Sequence, residues 1–85
     1  MATRSEVRTM IVEQLAKLKR CTPAEIEKKI ADSEKIGSHY YVRVLPKIRR
    51  QLGIKLKAGK ELSAAMKSLD TLADYVHAVA RKEAA

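Results

Sequence analysis

The chain has 85 residues, 46% of them apolar, and a formal net charge of +8. That is enough for one small domain over residues 1–85 with one core, and it excludes a second domain, a large enclosed substrate cavity and hence a large enzyme. No apolar run approaches the roughly 20 residues of a membrane-spanning helix, and Met1 to Val7 has no apolar signal core, so a soluble cytoplasmic protein without a membrane span is expected.

The first helix is announced by Thr3-Arg4-Ser5-Glu6, where Thr3 can accept from a free backbone N–H and Glu6 can reach back. Val7, Met10, Ile11, Leu15 and Leu18 follow at spacings of three and four, one apolar stripe that runs to Arg20. Lys17, Lys19 and Arg20 suit the negative end of its dipole. Cys21 is alone, so no intrachain disulfide and no cysteine-based metal site can form, and a reducing compartment fits. Thr22-Pro23-Ala24-Glu25 repeats the start signal with proline at the first helical position, and a short helix with Ile26 and Ile30 inward is expected. Asp32 to Gly37 reads as a loop ending in a glycine suited to positive φ.

Ser38 is a candidate N-cap for the next segment, in which Tyr41, Val44, Leu45, Ile48 and Leu52 fit a helical stripe. His39 to Leu45 would also suit a strand, and Pro46 inside a helix costs about 3 kcal/mol unless the helix kinks. Helix is the better reading, because the stripe continues past Pro46 in phase, and Gly53 ends it. Ile54-Lys55-Leu56 is a short extended piece, Lys60 to Met66 a brief helix, and Ser68 the cap of a last one. Leu69, Leu72, Ala73, Val76, Val79 and Ala80 form its apolar face. The expected fold is all-α, a bundle of three main helices with one or two short ones. Phe and Trp are absent, so Leu, Ile, Val, Ala and Met must fill its core.

The charge is concentrated. Between Lys35 and Lys60 no acidic residue occurs, and the eight basic residues there equal the whole excess. Such a field favours an anionic partner.

The stretch Tyr41-Val42-Arg43-Val44-Leu45-Pro46-Lys47 followed by Ile48-Arg49-Arg50-Gln51-Leu52-Gly53-Ile54-Lys55-Leu56 resembles the helix and extended turn that follow the modified serine of acyl and peptidyl carrier proteins, of the kind I-R-R-x-L-G-[IV]-x-L. Ser68 to Val76 resembles the final carrier helix, and the likeness spans roughly residues 5 to 80. Counting back in that register places Ser38 on the serine that carriers esterify with 4′-phosphopantetheine. The resemblance thus implies a carrier-protein-like bundle, an arm taken from coenzyme A and installed by a phosphopantetheinyl transferase, and acyl, ketide or aminoacyl cargo held as a thioester. It implies docking through His39, Val42, Arg43, Lys47, Arg49 and Arg50, and a cargo cleft whose apolar candidates are Tyr41, Leu45, Leu62 and Met66. Carriers usually have Asp or His before the serine and Leu or Met after it, whereas this chain has Gly37 and His39. The helix is commonly acidic and here is basic, which implies biosynthetic partners with acidic docking faces. A monomeric, non-catalytic carrier is the expectation.

Other readings stand beside this one. Serines cap helices everywhere, and a carrier-like protein-interaction domain that is never modified ranks second. A helical nucleic-acid-binding module ranks third: Arg43, Lys47, Arg49 and Arg50 can touch phosphates, but few Asn, Gln or Ser side chains accompany them to read base edges. His39 and His77 lack carboxylates or cysteines at ligand spacing, so no metal site is expected. Ser38 and His39 are no nucleophile and base pair, because neighbours on a helix point about 100° apart. Of Tyr40 and Tyr41, one should pack inward and one lie at the surface.

Overall fold

The computed structural model describes residues 3–32, 36–57 and 59–84. Lys35, the first cation of the acid-free run, and the middle of the expected 32–37 loop lie outside the described residues. Five helices follow one another: α1 (Arg4–Lys19), α2 (Pro23–Ala31), α3 (Ser38–Leu52), α4 (Lys60–Ala65) and α5 (Leu69–Ala84). Among the described residues there is no strand. The all-α expectation holds, with α1, α3 and α5 as the main helices and α2 and α4 as the short ones.

Local chemistry accounts for most of the boundaries. At α1 the capping box forms in full: Thr3 Oγ1 accepts from the Glu6 N–H at 3.2 Å, and Glu6 Oε1 accepts from the Thr3 N–H at 3.1 Å. That bonding holds the Glu6 carboxyl below its ordinary pKa. Thr22 accepts from the Glu25 N–H at 3.2 Å ahead of Pro23, and Ser68 accepts from the Thr71 N–H at 3.2 Å at the start of α5.

The C-terminal end of α1 closes in a way the sequence did not announce. Arg20 takes φ 56°, the left-handed region, while its N–H donates to the Lys17 carbonyl at 3.3 Å and the Cys21 N–H donates to Ala16 at 2.9 Å. These are the paired bonds of a Schellman ending, built here on an arginine where glycine is the usual occupant. Gly53 ends α3 in the same manner at φ 64°, with the Ile54 N–H reaching the Arg49 carbonyl at 3.1 Å.

Pro46 lies inside α3, and the helix continues through it to Leu52. Proline brings no N–H, so the Val42 carbonyl loses its partner four residues on. The cost is contained because Pro46 and Val42 both face outward, Val42 being 53% exposed. The opposite face, Tyr41, Val44, Leu45 and Ile48, is buried and holds the helix to the core on both sides of the proline.

α1 is the centre of the bundle, with α2, α3 and α5 packed around it, and α4 rests on α5. This explains why its buried surface is wider than the stripe read from sequence: Val12, Gln14 and Ala16 are buried with Val7, Ile11 and Leu15, while Met10 and Leu18 are only partly covered. One hydrophobic cluster draws on all five helices, including Ile26 of α2, Leu62 and Ala65 of α4, and Leu72, Ala73 and Val76 of α5. Fully burying an aliphatic side chain such as Ile11, Leu15 or Leu72 contributes about 1.5–3 kcal/mol. Ile30 and Val79, expected inward, pack partly covered at its edge. Of the tyrosine pair, Tyr41 is the buried member and Tyr40 the half-buried one.

Ion pairs bind the outer surface of α1 to its neighbours. Arg8 Nη1 meets both Glu27 oxygens on α2 at 2.8 Å while its Nε donates to Asp70 on α5 at 3.0 Å, and Arg4 pairs with Asp74 and Asp70.

Candidate functional site

Ser38 is the first residue of α3, and the cap position belongs to Gly37. The expectation that Ser38 caps the helix is therefore corrected: its side chain makes no capping bond, and its hydroxyl has no hydrogen-bond partner among the described residues. Ser38 is exposed. A serine one residue earlier would have turned its oxygen onto the backbone N–H groups, whereas this one leaves the hydroxyl to solvent.

Gly37 also departs from expectation. Its φ is −59°, an ordinary backbone conformation in place of the positive φ its loop position implied. Space is what the glycine supplies: a Cβ there would lie 2.6 Å from Cε1 and 2.7 Å from Nδ1 of His39. The His39 ring folds back beside the entry to the helix and lies against Tyr40, with centroids 4.2 Å apart. Tyr40 in turn receives the Lys19 ammonium of α1 at 4.8 Å from its ring centroid, a cation–π contact. A chain of contacts thus links the end of α1 to the first turn of α3.

The first turn of α3 holds no acidic side chain. The Tyr40 N–H donates to the Gly37 carbonyl at 3.0 Å, while the N–H groups of Ser38 and His39 have no acceptor within the helix and, with the helix dipole, favour negative charge beside Ser38.

His39, Val42, Arg43, Lys47, Arg49 and Arg50 are all exposed. Spaced by three and four along α3, His39, Arg43, Pro46, Lys47 and Arg50 share one outward face, with Val42 and Arg49 beside it. Among the described residues none of these cations is in an ion pair, in contrast to Arg4 and Arg8. A shallow concavity at the end of this face is lined by Pro46, Arg49, Arg50, Gly53, Ile54 and Lys55.

The four cleft candidates do not line one cavity. Tyr41 and Leu45 are core residues, 2% and 6% exposed, and Met66 packs partly covered at the end of α4. Leu62 lines an open groove of about 880 Å³ between the segment after α3, α4 and the second half of α5. Its floor is Leu62, Tyr75, Ala78 and Val79, and Lys55, Lys57, Lys60 and Lys82 stand around it. Sequence reading missed this groove. Three of its lysines belong to the acid-free run, but Lys82 joins them only through the packing of α4 on α5.

Among the described residues no group of three or more His, Cys, Asp or Glu side chains could hold a metal ion, and no helix is long and apolar enough to cross a membrane. Cys21 is a free, partly buried thiol packed against the core. No family model, no curated protein and no solved structure matches this chain.

Proposed function

We propose that this chain is a carrier protein, with Ser38 as the attachment point for 4′-phosphopantetheine and the outward face of α3 as its docking surface. The observation that carries the proposal is the free, exposed hydroxyl of Ser38 at the first position of α3, with an ordered basic face running down the same helix. The surroundings fit a phosphodiester: no carboxylate stands in the first turn, and the helix end favours an anion.

In loading, Ser38 Oγ attacks the phosphorus of coenzyme A that bears the pantetheine arm. The Oγ–P bond forms, the pyrophosphate P–O bond breaks, 3′,5′-ADP leaves, and the serine proton passes to a base of the transferase. When bound, the arm supplies a terminal thiol that holds acyl, ketide or aminoacyl cargo as a thioester. The chain's own contribution is to hold the attachment point on a helix anchored by Tyr41, Val44, Leu45 and Ile48, and to offer Arg43, Lys47, Arg49 and Arg50 to acidic faces of partner enzymes.

The deciding experiment is intact-protein mass spectrometry after incubation with coenzyme A and a broad-specificity phosphopantetheinyl transferase, with Ser38→Ala alongside. The expected result is a gain of one phosphopantetheine, absent from the variant, with both proteins equally helical by circular dichroism. No gain, while a control carrier is loaded, would overturn the proposal. The second reading, a protein-interaction domain that uses the same unpaired basic face without modification, would then take its place. Tight, steeply salt-dependent DNA or RNA binding would favour a nucleic-acid module instead.

A further inference from the structure

We infer that the groove lined by Lys55, Lys57, α4 and α5 is a docking site for an acidic, amphipathic peptide segment of another protein, independent of any modification at Ser38. Its floor is apolar, with Leu62, Tyr75, Ala78 and Val79 brought together by the packing of α4 on α5. Around that floor stand Lys55, Lys57, Lys60 and Lys82, against two carboxylates, Glu61 and Glu83. Among the described residues none of the four lysines is in an ion pair. Glu83 is committed locally, since its two oxygens accept from the Lys55 backbone N–H at 3.3 and 3.4 Å. That contact ties the segment after α3 to the last turns of α5.

Shape and charge select the occupant. Along α5 the lining runs from Tyr75 to Glu83, a rise of about 12 Å, long enough for two turns of a helix laid alongside. Ligand pockets for small molecules enclose most of the ligand, whereas this groove is open along its length. A peptide helix with apolar anchors on one stripe and carboxylates flanking them would cover the floor and meet the lysines together. A nucleic-acid strand would use the lysines but leave Leu62, Ala78 and Val79 without a matching surface, and Tyr75 is the single stacking ring on the floor. A second copy of this chain is a poor complement, because its net charge is +8 and Asp70, Asp74 and Glu27 are already paired with arginines. Lys55 also lines the concavity that contains Arg49 and Arg50, so the groove continues the basic surface of α3.

The probe is a fluorescein-labelled synthetic helical peptide with leucines at i, i+3 and i+7 and glutamates flanking them. Its controls are the same peptide with lysine for glutamate, the same peptide with serine for leucine, and a single-stranded thymidine oligonucleotide. Fluorescence anisotropy should give saturable binding of the acidic leucine peptide and at least tenfold weaker binding of both peptide controls. Lys57→Glu with Lys82→Glu should weaken binding about tenfold, whereas Lys17→Glu on the exposed side of α1 and Ser38→Ala should leave it unchanged. Amide shifts in NMR should concentrate at residues 55–62 and 75–83. Equal binding of the serine peptide, displacement by the oligonucleotide, or shifts centred elsewhere would overturn the inference, as would a concentration-dependent dimer that occupies the groove. Circular dichroism of the double variant separates lost docking from lost folding. Because Ser38→Ala is a neutral control here, failure of the carrier proposal and failure of this one give different results.

Discussion

Arg8 and Glu27 form a bidentate pair, Nη1 to both carboxylate oxygens at 2.8 Å, that fastens α2 to the central helix. The same guanidinium reaches Asp70 at 3.0 Å, so one side chain holds three helices. The two carboxylates keep the Arg8 pKa above its already high ordinary value, the Glu27 bond being the larger cause. Arg8→Met keeps the apolar stem and removes the fork. The expected loss is about 1 kcal/mol by urea unfolding, because Glu27 is half exposed and solvent screens the pair. The wild-type advantage should shrink in molar salt, and an unchanged advantage there would assign the effect to packing.

Gln14 lies 7% exposed on α1 with its Oε1 lacking a hydrogen-bond partner among the described residues. An orphaned buried acceptor costs about 1–3 kcal/mol. Gln14→Met preserves the unbranched shape and removes the polar group, and it should raise unfolding free energy by about 1 kcal/mol. A destabilised variant would mean that the amide has a water partner.

Arg20 and Gly53 are a matched pair with opposite outcomes. Both end helices at φ near 60°, but only one is a glycine. Arg20→Gly relieves the left-handed strain and should stabilise by about 0.5–1 kcal/mol, while Gly53→Ala should destabilise by about 1 kcal/mol. No atom lies within 4 Å of a Cβ built at Gly53, so that cost is conformational and not steric. Thermal denaturation of the two variants, read side by side, checks the sign of each.

Burial pushes the Tyr41 phenol above its ordinary pKa, Asp70 adds to the rise, and Arg8 opposes it. The unfolded chain therefore ionises this group first. Stability on this account is intact below about pH 10 and falls as pH rises from there through the folded value. Tyr41→Phe should show a smaller loss of urea midpoint than wild type between about pH 8 and about pH 11. Parallel losses in the two proteins would dissociate Tyr41 from the alkaline transition.

On the proposed carrier role, Arg49→Glu with Arg50→Glu should lower turnover with an acidic-faced partner enzyme about tenfold while leaving loading at Ser38 intact. Equal turnover would remove these two arginines from the docking surface.

Much of the architecture was legible because its signals are local. Thr3 with Glu6, Thr22 with Pro23, and Ser68 each announce a helix within four residues, and Ile48 and Leu52 carry the α3 stripe past Pro46. The ends were less legible: residue type favours positive φ at Gly37 and not at Arg20, yet Arg20 takes it through the bonds to Lys17 and Ala16 while Gly37 sits at φ −59° beside the His39 ring. The site divides the same way. The outward face of α3 follows from periodicity, whereas periodicity cannot tell whether Tyr41 and Leu45 face another helix or an empty cleft. They face the core. The lysine-rimmed groove depends on Lys55, Lys57 and Lys60 meeting Lys82, 22 to 27 positions further along the chain, which no spacing rule reports.

Pro46 gives α3 an internal seam. With the Val42 carbonyl unpaired, the backbone ladder is interrupted between the turns that hold Ser38 and those that hold Arg49 and Arg50. The leading half is held to the core by Tyr41, Val44 and Leu45 and the trailing half by Ile48, so each half keeps its own anchor across the interrupted ladder. The first turn, with Ser38, is thus fixed to the core independently of the turns that carry Arg49 and Arg50.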